Sequence, residues 1–97
     1  MNAAHPAALA AALRALAAIS RGADPVTADA RRGARALQLL WIEAKGPAVR
    51  VISDAALALS LAADGGMPLH VPSAARGLAR QAARVVRQTT RQRDEGR

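Results

Sequence analysis

A chain of 97 residues with a formal charge of +7 is long enough for one domain with a small hydrophobic core. Its 14 basic and 7 acidic side chains favour a negatively charged partner, and the lack of cysteine excludes disulfides and thiolate metal sites. Hydrophobic residues make up 52% of the chain but aromatic residues only 1%, because much of the apolar content is alanine. Since alanine buries little area, we expect a marginally stable monomer, for which self-association into a homo-oligomer is a natural remedy.

The first segment does not resemble a secretory signal, because it lacks a basic n-region and Arg14 interrupts its apolar run. No apolar run reaches the roughly 18 residues that a membrane-spanning helix requires. The sequence therefore predicts a soluble, cytoplasmic protein with no membrane span, and its composition is typical of a bacterial or phage chain.

Pro6 to Ser20 is the first predicted helix. Proline suits the first turn of a helix, and Gly22 is suited to end it. Leucines at spacings of four and three residues form its apolar stripe: Leu9, Leu13 and Leu16.

Pro25 to Lys45 is the second predicted helix, with Asp24 as its N-cap. Its segment Leu37 to Ile42 is apolar nearly all round, which predicts a central helix that is buried on two sides. Trp41 is then interpreted as a core anchor. The alternative for Trp41 is an exposed surface for a protein partner or for base stacking.

Residues 48–64 allow two interpretations. The alternating, β-branched run from Val49 to Ile52 is typical of a short extended strand, after which Ser53 or Asp54 would cap a helix. The evident mate for such a strand is residues 69–71, and two strands this short are marginal. We therefore favour one helix that begins near Pro47. Residues 65–72, with two glycines and two prolines, are predicted to form a loop.

The last long stretch, Ser73 to Arg93, predicts one amphipathic helix with Ser73 as its N-cap. Five of its arginines are spaced four, four, three and four residues apart, and we call them the arginine ridge: Arg76, Arg80, Arg84, Arg87 and Arg91. At about 100° per residue they fall in a band roughly 80° wide that runs about 22 Å along the helix. No acidic residue lies between Asp64 and Asp94 to neutralise them. A plain solvated helix face is the alternative interpretation.

The remaining polar residues form no catalytic or metal-binding pattern. His5 and His70 are the only imidazoles, and neither has a second ligand at a suitable spacing. Ser53 resembles a helix cap more than a nucleophile, and the glycines at 65 and 66 do not precede a helix as in a phosphate-binding loop. We therefore predict neither an enzyme nor a protein with a metal or cofactor.

The arginine ridge predicts a small basic helical protein that binds nucleic acid, in particular double-stranded DNA, mainly through the phosphate backbone. A helix-turn-helix is disfavoured, because about eight residues with two prolines separate the last two helices. The second helix adds a possible second basic patch, which we call the α2 arginines: Arg31, Arg32 and Arg35. The alternative function is a protein-interaction module that docks the ridge on an acidic partner, such as an inhibitor, adaptor or assembly factor of phage or plasmid origin.

The predicted fold is all-α, a small bundle of three to four helices, with an extended segment near residues 49–52 as the one open alternative. Residues 1–93 form a single helical domain in this interpretation, and residues 94–97 form a disordered tail. Short connections favour antiparallel packing of neighbouring helices.

Overall fold

The computed structural model describes residues 6–64 and 72–95, except for the side chains of 72–75 and 92–95. These residues form four helices, with no strand among them: α1 (Pro6–Ser20), α2 (Thr27–Glu43), α3 (Ala48–Ala63) and α4 (Pro72–Glu95). The predicted small all-α bundle is confirmed. None of the described helices is long and apolar enough to cross a membrane.

α1 ends where the sequence predicts, at a glycine in the left-handed conformation. Gly22 has a φ of 78°, and its N–H donates to the carbonyl of Ile19 at 2.9 Å. The N–H of Ala23 donates to the carbonyl of Ala18, also at 2.9 Å. Together these two bonds form a Schellman motif, which satisfies carbonyls that the end of a helix leaves without partners.

α2 begins two residues later than predicted. Its N-cap is Val26, which has extended backbone angles and makes no capping hydrogen bond through its side chain. The predictions of Asp24 as the cap and of Pro25 as the first helical residue are therefore wrong. The first turn instead holds Asp29, which pairs with a side chain on α1. This contact is 15 residues distant in sequence, so local capping rules do not reveal it.

The partner of Asp29 is Arg14, and the two side chains form a bidentate ion pair. Nε of Arg14 donates to Oδ2 of Asp29 at 3.2 Å, and Nη2 donates to Oδ1 at 3.1 Å. The hydrogen bonds and charge of Arg14 lower the pKa of Asp29 below its ordinary value, and the charge of Arg32 adds to this effect. The pair joins the exposed edges of α1 and α2.

This lowered pKa predicts a pH-dependent contribution to stability. Because the folded state favours the carboxylate, the contribution is fully present above the ordinary pKa of aspartate and is lost as pH falls through the lowered pKa. We expect Asp29→Asn to lower the Tm by a few degrees at most at neutral pH, and by less at about pH 2. Thermal unfolding followed by circular dichroism at both pH values measures the difference. Equal decreases at the two pH values would contradict this role for the pair.

Residues 48–63 form one continuous helix, α3, so the favoured interpretation is confirmed and the short strand at 49–52 is excluded. Pro47 precedes α3 with helical backbone angles. Ser53 and Asp54, the caps in the strand interpretation, lie inside α3 and are exposed.

α4 begins at Pro72 and continues to Glu95, so it includes Asp94 and Glu95, which were predicted to belong to a tail. Ser73 is the second residue of α4, so the prediction of Ser73 as its N-cap is wrong. The loop was predicted at 65–72; its last residue, Pro72, instead begins α4, and residues 65–71, with His70, lie outside the described residues. The last two residues of the predicted tail also lie outside them.

The helices follow one another around the bundle. α1 contacts α2 and α4, α3 contacts the same two helices, and no contact joins α2 to α4 among the described residues. α2 and α4 therefore occupy opposite corners. The bundle can be seen as two layers, one of α2 with α3 and the other of α1 with α4.

The core between these layers is built from few large side chains and many alanines. The largest fully buried side chains come from all four helices: Leu16, Leu37, Leu40, Ile52, Leu59 and Val86. Alanine allows close helix packing, and α1 and α2 approach each other closely at Gly33. There, a Cβ atom added to Gly33 would lie 2.6 Å from the Cα of Ala12. Gly33 is therefore required for the contact between these two helices.

The second half of α2 is less buried than predicted. Leu37 and Leu40 are fully buried, but Leu39 is 39% exposed, Trp41 45% and Ile42 70%. The interpretations of α2 as a helix buried on two sides and of Trp41 as a core anchor are therefore wrong. The reason is that α2 occupies a corner, where α1 and α3 cover its inner side and no helix covers the outer one.

Candidate nucleic-acid interface

The arginine ridge lies along one exposed edge of α4. All five of its arginines are exposed. The other side of the helix faces the core with small apolar side chains: Ala79, Ala82, Ala83 and Val86. Since α4 is continuous from Pro72 to Glu95, the ridge lies on one uninterrupted helix. The helical spacing thus places five guanidinium groups in a row of about 22 Å.

Within the described part of the chain, no carboxylate neutralises the ridge. Its five arginines make no ion pair and no hydrogen bond with a described side chain, whereas Arg14 pairs with Asp29. The arrangement of the helices contributes to this. α1, which borders α4, contains no acidic residue, and α2, which carries Asp29 and Glu43, does not contact α4. α3 does contact α4, but its one carboxylate, Asp54, forms no ion pair with a described side chain.

Arg76 lies against the C-terminal end of α1. A Cβ atom added to Gly22 would lie 2.8 Å from Nη2 of Arg76, so the guanidinium lies against this glycine at the end of α1. The C-terminal end of a helix carries a partial negative charge, which favours a cation there. The contact shows that α4 begins where α1 ends, so that the two helices run antiparallel and the ridge lies on the edge of α4 that borders α1.

The side chains next to the ridge on α4 are polar or small. The residues that lie between its arginines on the exposed side include Gly77, Gln81 and Gln88. Among the described residues of α4, Leu78 is the one large apolar side chain with substantial exposure, at 37%, and helical spacing places it on the edge opposite the ridge. The ridge therefore offers positive charge and hydrogen-bond donors without an apolar anchor or an aromatic ring.

The α2 arginines are also exposed, but they do not join the ridge. Arg31, Arg32 and Arg35 lie on the helix at the opposite corner from α4. Arg32 is close enough to Asp29 for its charge to lower the pKa of that carboxyl group, so it is partly compensated. The ridge and the α2 arginines, which were predicted as a possible second patch, thus lie on separate helices at opposite corners of the bundle.

The described residues contain no group of three histidine or acidic side chains that could hold a metal ion. His5 and His70 lie outside the described residues. A surface that sequence reasoning missed is an open groove of about 340 Å³ between α2 and α3, lined by side chains that include Trp41 and Leu57. The spacing of Leu57 and Leu61, on the side of α3 away from Leu59, was a signal for it.

Comparison with known proteins gives no assignment: no protein-family model, no curated protein and no solved structure matches this chain.

Proposed function

We propose that this protein binds double-stranded DNA through its phosphate backbone, without reading base sequence, and that the arginine ridge is the binding surface. The observation that carries the proposal is the row of five exposed arginines with no ion-pair partner among the described side chains. Unpaired guanidinium groups are free to replace the counterions that surround DNA, and the release of those counterions drives this kind of binding.

The dimensions of the ridge suit a duplex. Each DNA strand carries one phosphate per about 3.4 Å of axis, so a row of about 22 Å spans several phosphates. An α-helix is about 10–12 Å across with its side chains, close to the width of the major groove, about 12 Å. Four or five phosphate contacts are therefore within reach of one face of α4.

The chemistry of the ridge favours a phosphate backbone over other negatively charged partners. Protein interfaces are centred on apolar or aromatic anchors, and the exposed residues next to the ridge on α4 are Gly77, Gln81 and Gln88, while Leu78 lies on the opposite edge. Single-stranded nucleic acid is bound largely by stacking on aromatic rings, and the chain's one aromatic residue, Trp41, lies on the corner opposite α4. A duplex needs neither feature.

The salt dependence of binding tests this proposal. We expect the affinity of the full chain for a random-sequence duplex to fall with salt on a log–log plot with a slope of about −4, since each phosphate contact contributes about −0.9. A second duplex of unrelated sequence serves as the control, and we expect it to give the same affinity and slope. Fluorescence anisotropy of labelled duplexes between low and physiological salt measures both.

A flat response, or no binding at low salt, would contradict the proposal. Poly-aspartate, tested at the same charge concentration, represents the alternative of an acidic protein partner. We expect it to bind more weakly than the duplex, because its flexible chain does not hold its charges in a fixed row. Tighter binding to poly-aspartate would favour the protein-interaction module.

A further inference from the structure

The α2 arginines form a second group of exposed positive charges. Arg31, Arg32 and Arg35 lie in the first half of α2, and none of them forms an ion pair with a described side chain. The nearest carboxylate along the chain is that of Asp29, and both of its oxygens accept hydrogen bonds from Arg14. Because Arg14 occupies this carboxylate, the three guanidinium groups stay available to an external anion.

The stability of α2 does not account for the placement of these arginines. The dipole of a helix favours cations near its C-terminal end, whereas all three lie in the first half of α2. Arg31 and Arg35 are four residues apart, so their like charges repel each other on the helix surface. Of the three, Arg32 is the one whose charge favours the carboxylate of Asp29. A negatively charged partner offsets the repulsion and therefore explains the group better than helix stability does.

The two groups of arginines lie on different sides of the bundle. The ridge follows the edge of α4 that borders α1, and the α2 arginines lie on the helix at the opposite corner. The bundle measures 23 and 17 Å in the two directions across its long axis, so the protein body separates the two groups. A DNA duplex has a persistence length of about 50 nm and does not fold around a body of this size. One duplex therefore cannot contact both groups.

We propose that the α2 arginines bind the phosphate backbone of a second DNA duplex, so that one molecule of this protein bridges two duplexes. This inference rests on the proposed function, because the arginine ridge holds the first duplex. The ridge has five arginines and the α2 group has three, so the second duplex is bound more weakly. The thickness of the bundle holds the two duplexes apart.

Bridging differs from the binding of one duplex in its dependence on salt and on the length of the DNA. Three phosphate contacts give a log–log slope of about −2.7 for the second duplex, against about −4 for the ridge. Since fewer contacts also mean a lower affinity, bridging is lost at a lower salt concentration than binding. On long DNA, several molecules join the same pair of duplexes and act together, which strengthens the bridge. Short duplexes lack this advantage and report binding at the ridge.

A two-colour capture experiment with the full chain tests the bridge. One long duplex is fixed to beads, a second long duplex with a fluorescent label is added, and the label retained on the beads is measured at low salt. We expect the unmodified chain to retain the labelled duplex. We also expect retention to fall as salt rises, while the protein itself stays on the DNA of the beads. Fluorescence anisotropy with a short duplex measures binding at the ridge in parallel.

Neutralisation of the α2 arginines separates bridging from binding. We expect Arg31→Gln, Arg32→Gln and Arg35→Gln in one variant to lower capture about tenfold or more, and to leave the slope for a short duplex at about −4. A matched control removes the same number of charges at exposed residues outside both groups: Arg21→Gln, Lys45→Gln and Arg50→Gln. We expect this control to keep the capture of the unmodified chain. Circular dichroism checks that both variants keep their helical content.

Capture by the α2 variant at the level of the unmodified chain would overturn the bridge through α2, because another surface, such as the ridge of a second copy, would then hold the second duplex. Equal losses in the two variants would also overturn it, since net charge would then determine capture. A chain that binds the short duplex but captures no second duplex would overturn the bridge and leave the proposed function intact. A chain that binds neither would contradict the proposed function as well.

Discussion

Gly33→Ala is expected to lower the free energy of unfolding by about 2 kcal/mol, even though alanine is the better helix former. The added Cβ would lie 2.6 Å from the Cα of Ala12, 3.0 Å from its N and 3.0 Å from its Cβ. Backbone atoms cannot rotate away as a flexible side chain can, so α1 and α2 must separate. Overpacking of this kind typically costs about 1–3 kcal/mol, and more when the neighbour is rigid.

Gly77→Ala makes the same chemical change on an exposed part of α4, and we expect the opposite sign. A Cβ added at Gly77 meets no described atom within 4 Å, so only the intrinsic preference for alanine acts. The free energy of unfolding should rise by about 0.5–1 kcal/mol. Urea denaturation of both variants measures the two effects. If Gly33→Ala were as stabilising as Gly77→Ala, this result would contradict the close contact between Gly33 of α2 and Ala12 of α1.

Reversal of three charges in the middle of the ridge should weaken binding to a duplex at least 100-fold. Arg80→Glu, Arg84→Glu and Arg87→Glu in one variant replace three phosphate contacts with three repulsions, and a charge-assisted hydrogen bond contributes about 1.5–3 kcal/mol. All three side chains are exposed and make no contact with an acidic partner among the described residues, so we expect the fold to be unchanged. Binding at physiological salt and circular dichroism measure the two properties.

The matched control reverses the three α2 arginines: Arg31→Glu, Arg32→Glu and Arg35→Glu. Both variants lower the formal charge by the same amount, but the α2 arginines lie on the opposite corner of the bundle. At physiological salt, charges separated by more than about 8 Å are largely screened, so we expect less than a tenfold loss of affinity. Equal losses in the two variants would mean that net charge, and not the ridge, determines binding.

The helices and their inward faces could be predicted from the sequence because they depend on local patterns. The end of α1 could be predicted because it depends on a single glycine, Gly22, in the left-handed conformation. Leu37 and Leu40 lie on the inner face of α2, as their spacing indicates. The spacing of the ridge arginines likewise gives their common edge. A helical pattern identifies which side chains share a face.

The pattern does not identify how many helices cover that face. Trp41 and Ile42 are exposed because α2 has two neighbours in the bundle instead of three, and no local feature of α2 indicates this number. The pairing of Asp29 with Arg14 and the contact of Gly33 with Ala12 are also tertiary features. The separation of the α2 arginines from the ridge has the same origin, since it depends on the order of the helices around the bundle.

The salt dependence of a neutralised ridge tests the role of the ridge most directly. Arg80→Gln, Arg84→Gln and Arg87→Gln in one variant should reduce the log–log slope for a random duplex by about 2.7, since each lost contact removes about 0.9. Arg31→Gln, Arg32→Gln and Arg35→Gln in one variant serve as the control. This variant should keep a slope of about −4, the value expected for the unmodified chain. An unchanged slope in the ridge variant, or an equal reduction in both variants, would contradict the assignment of DNA binding to α4.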